Sequence, residues 1–291
     1  MELPKILFIV GNGFDLAHGL KTSFCDFKNY LQKGDESSKK FIDALEQYTP
    51  LEKNWSNIEE ALGKLDYETL CEKNSCYLVS PYDDKYRDSA NFDYTYEISK
   101  EFNFYSDLSF FLRSWIESIN KEASPIFKIP DNASFLSFNY TNTLEIVYGV
   151  PKNKICYIHG DYSKKGDRLI IGHNDKLVSS EVQLTDEESD VIQFEAESII
   201  KSYFESSYKK PHINIEIHKS FFDNLKSVEE IIIIGESFRT DLDYFLKIKE
   251  NVSSDCVWRI SFHDLEDYRN NFYYAKEVRL SNYTAFQLIN C

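Results

Sequence analysis

The hydrophobic pattern of the chain is dominated by two continuous runs of branched apolar residues, at 5–10 and 230–234. Runs of this length are typical of parallel strands that are buried on both faces. Shorter apolar segments predict further strands at residues 134–138, 155–158, 169–171, 257–262 and 276–280. The pattern therefore predicts short strands spread from one end of the chain to the other.

Helical periodicity fills most of the sequence between these strands. Apolar residues at 105, 108, 112, 115 and 119 recur at three- or four-residue spacing and predict an amphipathic helix. The pattern also predicts helices within 14–30, 36–120, 143–148 and 213–225, with a loop-bearing segment at 72–100. Strands that alternate with helices predict a parallel sheet with helices on both faces. We therefore expect one α/β domain over residues 1–291, with a helical insertion at about 36–125 after the first strand and helix.

The charge balance and the cysteines narrow the class of protein. The chain has 33 Lys and Arg against 48 Asp and Glu, a formal net charge of −15. Because phosphate contacts need a basic surface, nucleic acid is not the expected partner. No stretch has the roughly 18 apolar residues of a membrane helix, and the first apolar run is too short for an export signal. The six cysteines form no C-x-x-C pair, so no metal site is expected. We expect a cytoplasmic protein with reduced thiols.

A glycine-rich turn follows the first predicted strand directly. Gly11-Asn12-Gly13 leads into a helix, and a third glycine, Gly19, gives the spacing G-x-G-x-x-x-x-x-G. Such a turn brings backbone N–H groups and the positive end of a helix close to an anion, so it predicts a phosphate site. The spacing differs from the ordinary dinucleotide fingerprint, and a plain strand-to-helix turn explains the glycines equally well. Asp15 fits either a helix cap or a ligand to a ribose hydroxyl.

Three more polar motifs follow predicted strands. Asn139 follows the strand at 134–138, His159-Gly160 follows the next strand, and Gly235-Glu236-Ser237 follows the strand at 230–234. Ligands of doubly wound sheets bind beyond the carboxyl ends of the strands. We therefore expect these motifs to line one cleft together with the glycine turn.

Five segments closely resemble the AbiH family of bacterial abortive-infection proteins. They are I-L-F-I-V-G-N-G-F-D-L-A-H-G-L-K-T-S-F at 6–24, W-S-N-I-E-E at 55–60, F-N-Y-T-N-T-L-E at 138–145, Y-I-H-G at 157–160 and I-I-G-H-N at 170–174. The resemblance spans nearly the whole chain and implies a role in defence against bacteriophage. Trp55 and Glu59 belong to these segments, and helix packing and capping explain them as well as a functional role does.

The order of the polar motifs also resembles, more remotely, the sirtuin-like NAD-binding domains, including NAD-cleaving domains of phage defence. The resemblance implies a Rossmann-like parallel sheet flanked by helices. In such domains a glycine loop holds the NAD pyrophosphate, an asparagine and a histidine flank the ribose beside nicotinamide, and a Gly-x-Ser loop closes over the ribose and phosphates. Matched by motif, these positions are Gly11 and Gly13, Asn139, His159, and Gly235 with Ser237.

The chain also departs from both patterns. The paired C-x-x-C motifs of the sirtuin zinc module are absent, which argues against peptide deacylation. Lys21, Ser23 and Phe24 replace the sirtuin residues that follow the third glycine, and Thr141 stands where sirtuin-like defence domains usually have Asp. Glu236 stands where AbiH proteins often have His, so a catalytic role of that His would be impaired in this chain.

We expect the chain to hydrolyse NAD to nicotinamide and ADP-ribose, with Asn139 and His159 as the catalytic residues. NAD is then the substrate, and no cofactor is required. His173 is expected in the same cleft, although a structural histidine in a turn fits it equally. The residues expected to bind the nucleotide are Gly11, Asn12, Gly13, Asp15, Gly19, His173, Gly235 and Ser237.

Two other functions fit the same residues. The first is a non-catalytic sensor of NAD or ADP-ribose, and the second is a metal-dependent nuclease or phosphohydrolase that uses Asp15, His159 and His173. The net charge of −15 opposes the nuclease. Because an unregulated NAD hydrolase would harm its own cell, we expect restraint by a phage or host trigger or by a homo-oligomer.

Overall fold

The computed structural model describes residues 5–78, 90–120, 122–164, 166–185 and 191–288. The chain divides into two compact units. The sheet unit is made of Met1–Asp26, Arg113–Ile170 and Lys210–Cys291, and the helical unit of Phe27–Leu112 and Ile171–Lys209. Among the described residues, no helix combines the length and the hydrophobicity that crossing a membrane requires.

The sheet unit contains a six-stranded parallel sheet in the order β3-β2-β1-β4-β5-β6. Its strands are β1 (Ile6–Val10), β2 (Ala133–Ser137), β3 (Ile155–Tyr157), β4 (Glu230–Ile234), β5 (Val257–Phe262) and β6 (Tyr283–Gln287). This is the strand order of the Rossmann fold, in which the direction of strand addition reverses between β1 and β4 while all strands remain parallel. Val10 pairs with Ser137 and with Ile234, so β1, β2 and β4 end at the same level. The predicted α/β class with a parallel sheet flanked by helices is confirmed.

Fourteen α-helices occur within the described residues. They are α1 (Asn12–Ala17), α2 (Phe24–Gln32), α3 (Glu36–Tyr48), α4 (Ile58–Leu62), α5 (Tyr67–Asn74), α6 (Ala90–Glu101), α7 (Asn103–Ser118), α8 (Thr143–Tyr148), α9 (Val178–Glu181), α10 (Val191–Ser207), α11 (Pro211–Ile217), α12 (Lys219–Asp223), α13 (Leu242–Asn251) and α14 (Leu265–Glu277). In the sheet unit, the strand-to-helix transitions β1–α1 and β4–α13 bring the two glycine-containing motifs to the carboxyl edge of the sheet.

The central strands are apolar on both faces because each face lies against a separate hydrophobic core. Leu7 and Ile9 of β1 belong to one core together with Ile231 of β4. Phe8 and Val10 belong to the core on the other face. Successive side chains of a strand point to opposite faces, so the continuous apolar run at 6–10 serves both cores at once.

Three sequence predictions of secondary structure are wrong. Residues 169–171 form no strand, although Ile170 N–H donates to His159 O at 2.9 Å. The last strand is Tyr283–Gln287, while residues 276–280 cover the end of α14 and the turn after it. Residues 90–100 of the predicted loop-bearing segment are helical, and residues 79–89 of it lie outside the described ranges. Short apolar runs do not distinguish strands from other buried segments, which explains the first two errors.

Candidate functional site at the carboxyl edge of the sheet

The loop after β1 packs backbone against backbone on the loop after β4. Gly11 N–H donates to Ile234 O at 3.1 Å, and Gly13 N–H donates to Gly235 O at 2.8 Å. A Cβ atom on Gly13 would lie 2.6 Å from Gly235 Cα. Because the opposing atoms are main chain, no flexible side chain can move aside. Glycine at 13 therefore permits the two loops to touch, whether or not a ligand also approaches.

Gly235 forms the other half of this contact. Its φ is +62°, in the left-handed region that favours glycine, and a Cβ atom there would overlap the backbone of Gly13 and the amide nitrogen of Phe14. Gly235 N–H donates to Ser261 Oγ of β5 at 2.8 Å, which holds the turn from the far side. The predicted proximity of the Gly11-Asn12-Gly13 and Gly235-Glu236-Ser237 motifs is present in the structure.

The two residues after Gly235 differ in their surroundings. The Glu236 carboxylate lies against Gly11, with Oε2 in contact with the position that a Cβ atom on Gly11 would take. Ser237 is exposed, and its Oγ accepts a hydrogen bond from Arg239 N–H at 3.2 Å. Asn12 is exposed as well. Ligand contacts of Asn12 and Ser237 stay predictions, whereas the position of Glu236 is a feature that the sequence did not reveal.

Gly19, the third glycine of the spacing, ends helix α1. Its φ is +73°, Gly19 N–H donates to Leu16 O at 2.9 Å, and Leu20 N–H donates to Asp15 O at 3.1 Å. These two bonds form a Schellman motif, in which glycine is the usual residue at the left-handed position. The unusual spacing of Gly19 is therefore set by the length of α1, and a role in nucleotide binding stays a prediction.

Asp15, in the first turn of α1, connects the segment after β1 to the loop after β2. Its side chain is buried, with 1% of the residue exposed, and Thr141 Oγ1 donates to Asp15 Oδ2 at 2.5 Å. Thr141 Oγ1 also lies 3.1 Å from Thr143 Oγ1. Asp15 and Thr141 are 126 positions apart in the sequence. Thr141, which departs from the sirtuin-like pattern, thus supplies a hydroxyl donor to a buried carboxylate.

His18 of the opening motif has a structural role. Its Nε2 lies 2.7 Å from the Tyr148 hydroxyl and its Nδ1 lies 2.6 Å from Phe14 O. The Tyr148 oxygen also accepts from the backbone N–H groups of Ile126 and Phe127, at 3.1 and 3.2 Å. The Tyr148 hydroxyl therefore donates to Nε2, and Nδ1–H donates to Phe14 O. Burial lowers the pKa of His18, which agrees with this neutral ring.

Asn139 lies directly beyond β2. Only 7% of its surface is exposed, and its backbone O accepts a hydrogen bond from Ser137 Oγ at 3.3 Å. None of the residues that the structure describes forms a hydrogen bond with its side-chain amide. The ladder ends with the pair Ser137 and Tyr157, and Asn139 and His159 each come two residues after that pair. The two predicted catalytic residues therefore follow the carboxyl ends of neighbouring strands.

His159 is paired with a carboxylate that sequence reasoning missed. Its Nε2 lies 3.1 Å from Oδ1 of Asp241, and each side chain is 4% exposed. Asp241 is the N-cap residue of α13, yet its side chain does not cap that helix. Thr240 Oγ1 donates to Asp241 Oδ2 at 2.8 Å and holds the carboxylate from its other side. The two groups are at ion-pair distance, while Nε2 forms no hydrogen bond with a described residue. A histidine beside a buried carboxylate is a common feature of general bases.

Aromatic rings enclose His159. The ring centroids of Phe138, Tyr244 and Tyr140 lie 5.3, 6.0 and 6.3 Å from that of His159. The Tyr140 hydroxyl donates to Ile170 O at 2.7 Å, which ties this aromatic residue to the segment after His159. Only 3% of His159 is exposed, so the imidazole is almost completely shielded from solvent.

His173 belongs to the helical unit, where it caps the end of α10. His173 N–H donates to Ser207 O at 2.9 Å, and its Nε2 lies 3.0 Å from Phe204 O. Lys209 N–H in turn donates to His173 O at 2.9 Å. These bonds satisfy carbonyl groups that the last turn of a helix leaves without partners. They give His173 a structural explanation, and its expected place in the nucleotide cleft stays a prediction.

Glu59 of the W-S-N-I-E-E motif forms an ion pair within the helical unit. Its carboxylate lies 3.0 Å from Lys209 Nζ, and the Lys209 side chain is only 1% exposed. Trp55 is fully buried, and its Nε1–H donates to Glu46 at 2.8 Å. The structure thus gives Glu59 and Trp55 roles in the packing of this unit.

The described polar groups at the carboxyl edge can move protons and orient hydroxyl groups. His159 with Asp241 is a candidate base, and the Asn139 amide can donate and accept hydrogen bonds. Within the described ranges, no group of three or more His, Cys, Asp and Glu side chains could hold a metal ion. Asp241 was missed because it lies 82 positions after His159 and in no recognisable motif.

The strand order and the polar groups at the carboxyl edge define an α/β protein of the Rossmann-like class. A family model described as "Bacteriophage abortive infection AbiH" matches residues 7–262, well over half of the chain. The chain therefore belongs to the AbiH family, which assigns it a role in bacteriophage abortive infection. No curated protein matches the chain.

Proposed function

We propose that this protein is an effector of phage defence that hydrolyses NAD to nicotinamide and ADP-ribose. The observation that carries the proposal is the buried pair of His159 and Asp241, 3.1 Å apart, at the carboxyl edge of a Rossmann-type sheet. Nucleotides commonly bind at this edge, where the strand order reverses. The family role in abortive infection supports a reaction that removes a metabolite the infected cell needs.

The proposed reaction breaks the bond between the nicotinamide nitrogen and C1 of the ribose. The bonding electrons leave with nicotinamide as a neutral molecule, so the leaving group needs no strong acid. The ribose becomes oxocarbenium-like, and a water oxygen forms the new bond to its C1. One proton of that water passes to His159 and then to solvent, a transfer that typically contributes a factor of about 10²–10⁴ in rate.

Each polar residue has a separate task in this proposal. Asp241 orients the His159 ring and stabilises the positive charge that the ring gains with the proton. The Asn139 amide holds the attacking water or a ribose hydroxyl, since no described residue occupies that amide. The bond from Thr141 to Asp15 fixes the loop after β2 on the loop after β1, so it positions Asn139 without touching the substrate.

Nicotinamide release from NAD by the purified protein tests the proposal. We expect His159→Ala and Asn139→Ala to lower the rate by about 100-fold or more, since a positioned base contributes that much. His212→Ala and Asn132→Ala are matched controls, because both side chains are exposed and Asn132 lies at the opposite end of β2. If wild type and His159→Ala release nicotinamide at equal rates, this mechanism is wrong. A wild type that releases none, alone or with a lysate of infected cells, contradicts NAD hydrolysis itself.

A nucleotide sensor without turnover is the second candidate. It is favoured by the enclosure of His159, of which only 3% is exposed among three aromatic rings. A histidine so enclosed can hold loops together without meeting water. Calorimetry that shows ADP-ribose binding while NAD is left intact, in the presence of the infected-cell lysate, would favour the sensor over the hydrolase.

A further inference from the structure

Glu236 places a negative charge on the loop that is expected to hold phosphate. Its Oε2 contacts the position that a Cβ atom on Gly11 would take, so the carboxylate lies directly against the backbone of that glycine. Glu236 itself is partly exposed, and it belongs to the loop between β4 and α13. The carboxylate therefore stands at the point where the strand order reverses, on the side open to solvent.

Two backbone donors of the same loop are already engaged. Gly11 N–H donates to Ile234 O and Gly13 N–H donates to Gly235 O. The two acceptors are the carbonyl oxygens of the last residue of β4 and of the residue after it. A phosphate group that approached these two amides would have to displace carbonyl oxygens and the Glu236 carboxylate together. In this conformation the N–H groups of Gly11 and Gly13 are therefore bonded to the β4 side and are not available to an anion.

Two more acidic residues belong to the same edge of the sheet. Asp15 and Asp241 are buried carboxylic residues of the same sheet edge, following β1 and β4. Like charges brought together at a binding site oppose association and act on specificity. A phosphate group is stabilised at such an edge only when a negative group moves away or becomes neutral.

We infer that Glu236 regulates nucleotide access to the glycine loop, as an internal anion that competes with the phosphates of the ligand. The inference rests on the proposed nucleotide site. In the folded protein, Glu236 against Gly11 is the restrained state, and movement of its side chain away from Gly11 admits the pyrophosphate. A neutral side chain of the same shape at position 236 removes the competing charge and leaves the packing on Gly11 in place.

Calorimetric titration of ADP-ribose into the full-length protein tests this inference. ADP-ribose carries the pyrophosphate but cannot undergo nicotinamide cleavage, so the measurement is independent of turnover. The variants are Glu236→Gln and the matched control Glu229→Gln. Glu229 is exposed and precedes β4, so the control removes the same charge at the opposite end of the same strand.

We expect Glu236→Gln to bind ADP-ribose about tenfold more tightly than wild type, because it removes a like-charge contact, and Glu229→Gln to bind as wild type does. Equal affinities of wild type and Glu236→Gln would overturn the inference and leave a nucleotide site intact. Equal gains in both variants would overturn it as well, since the effect would then come from net charge. No binding by any variant would overturn both the inference and the nucleotide site. Tighter binding by Glu236→Gln without NAD cleavage would support the inference while the proposed hydrolysis fails.

Discussion

Gly235→Ala is expected to destabilise the sheet unit more than Gly149→Ala does. Both glycines have a left-handed backbone, with φ of +62° and +64°. A Cβ atom on Gly149 would meet no heavy atom within 4 Å, whereas one on Gly235 would overlap the backbone of Gly13 and the amide nitrogen of Phe14. The two substitutions therefore share the conformational cost and differ in the steric cost alone.

The magnitudes follow from these two costs. A Cβ atom in the left-handed region costs about 1–2 kcal/mol, which is the whole expectation for Gly149→Ala. Crowding of a well-packed contact adds about 1–3 kcal/mol, so Gly235→Ala should lose about 2–5 kcal/mol of unfolding free energy. Urea unfolding followed by circular dichroism measures both variants against wild type.

The comparison also tests the reason for the glycine at position 235. Equal losses for Gly235→Ala and Gly149→Ala would show that the loops after β1 and β4 do not pack backbone against backbone. The account of the glycine motifs as a loop-to-loop contact would then be refuted, and the left-handed φ alone would explain Gly235.

Two further predictions concern the histidines and the bond between the two loops. Burial lowers the pKa of His18, His173 and His218 from their ordinary value of 6.5, so each favours the folded state only while it is neutral. We therefore expect the free energy of unfolding to be highest above pH 6.5 and to decrease as the pH falls through the lowered pKa values of these histidines. Urea unfolding at a series of pH values measures this, and a free energy that stays constant from pH 7 to pH 5 would contradict it. Thr141→Val should lose about 1.5–3 kcal/mol, because it removes a hydrogen bond to the buried Asp15 carboxylate. The same unfolding assay checks it, and an unchanged midpoint would refute the role of that bond.

The sequence predicted the centre of the fold better than its edges. The runs at 6–10 and 230–234 were predicted correctly because both faces of these central strands lie in the interior, which requires a nearly continuous apolar run. The edge strand Tyr283–Gln287 has exposed residues and no continuous apolar run, and it was missed. The segment at 169–171 is apolar because Leu169 and Ile171 are buried, although it joins no sheet.

The candidate site was predicted in part. Motifs that follow strands were recognisable because the carboxyl ends of parallel strands meet at one edge. The structure places Gly13 against Gly235, and it places Asn139 and His159 just beyond the ends of neighbouring strands. Asp241 was not recognisable, since its pairing with His159 depends on the turn before α13 and on no local pattern. The sequence alone also gave no reason for the glycines to pack on one another.

These contacts give the glycine motifs two compatible explanations. The packing of Gly13 on Gly235 is required for the loops to meet, with or without a nucleotide. The same contact lies next to Glu236, whose carboxylate rests against Gly11, and the loop that carries Glu236 also carries Asp241, which lies 3.1 Å from His159. Under the proposed function, the loop between β4 and α13 therefore contributes to the candidate base through Asp241 and to the inferred restraint on substrate entry through Glu236.

The NAD content of infected cells is the most direct measure of whether this protein defends the cell by hydrolysing NAD. Cells that express wild type, Asn139→Ala or the control Asn132→Ala are infected with phage, and NAD and ADP-ribose are measured over the infection. We expect NAD to fall and ADP-ribose to rise with wild type and with Asn132→Ala, and neither to change with Asn139→Ala. If wild type protects the cells against phage while NAD stays unchanged, defence by NAD hydrolysis is wrong.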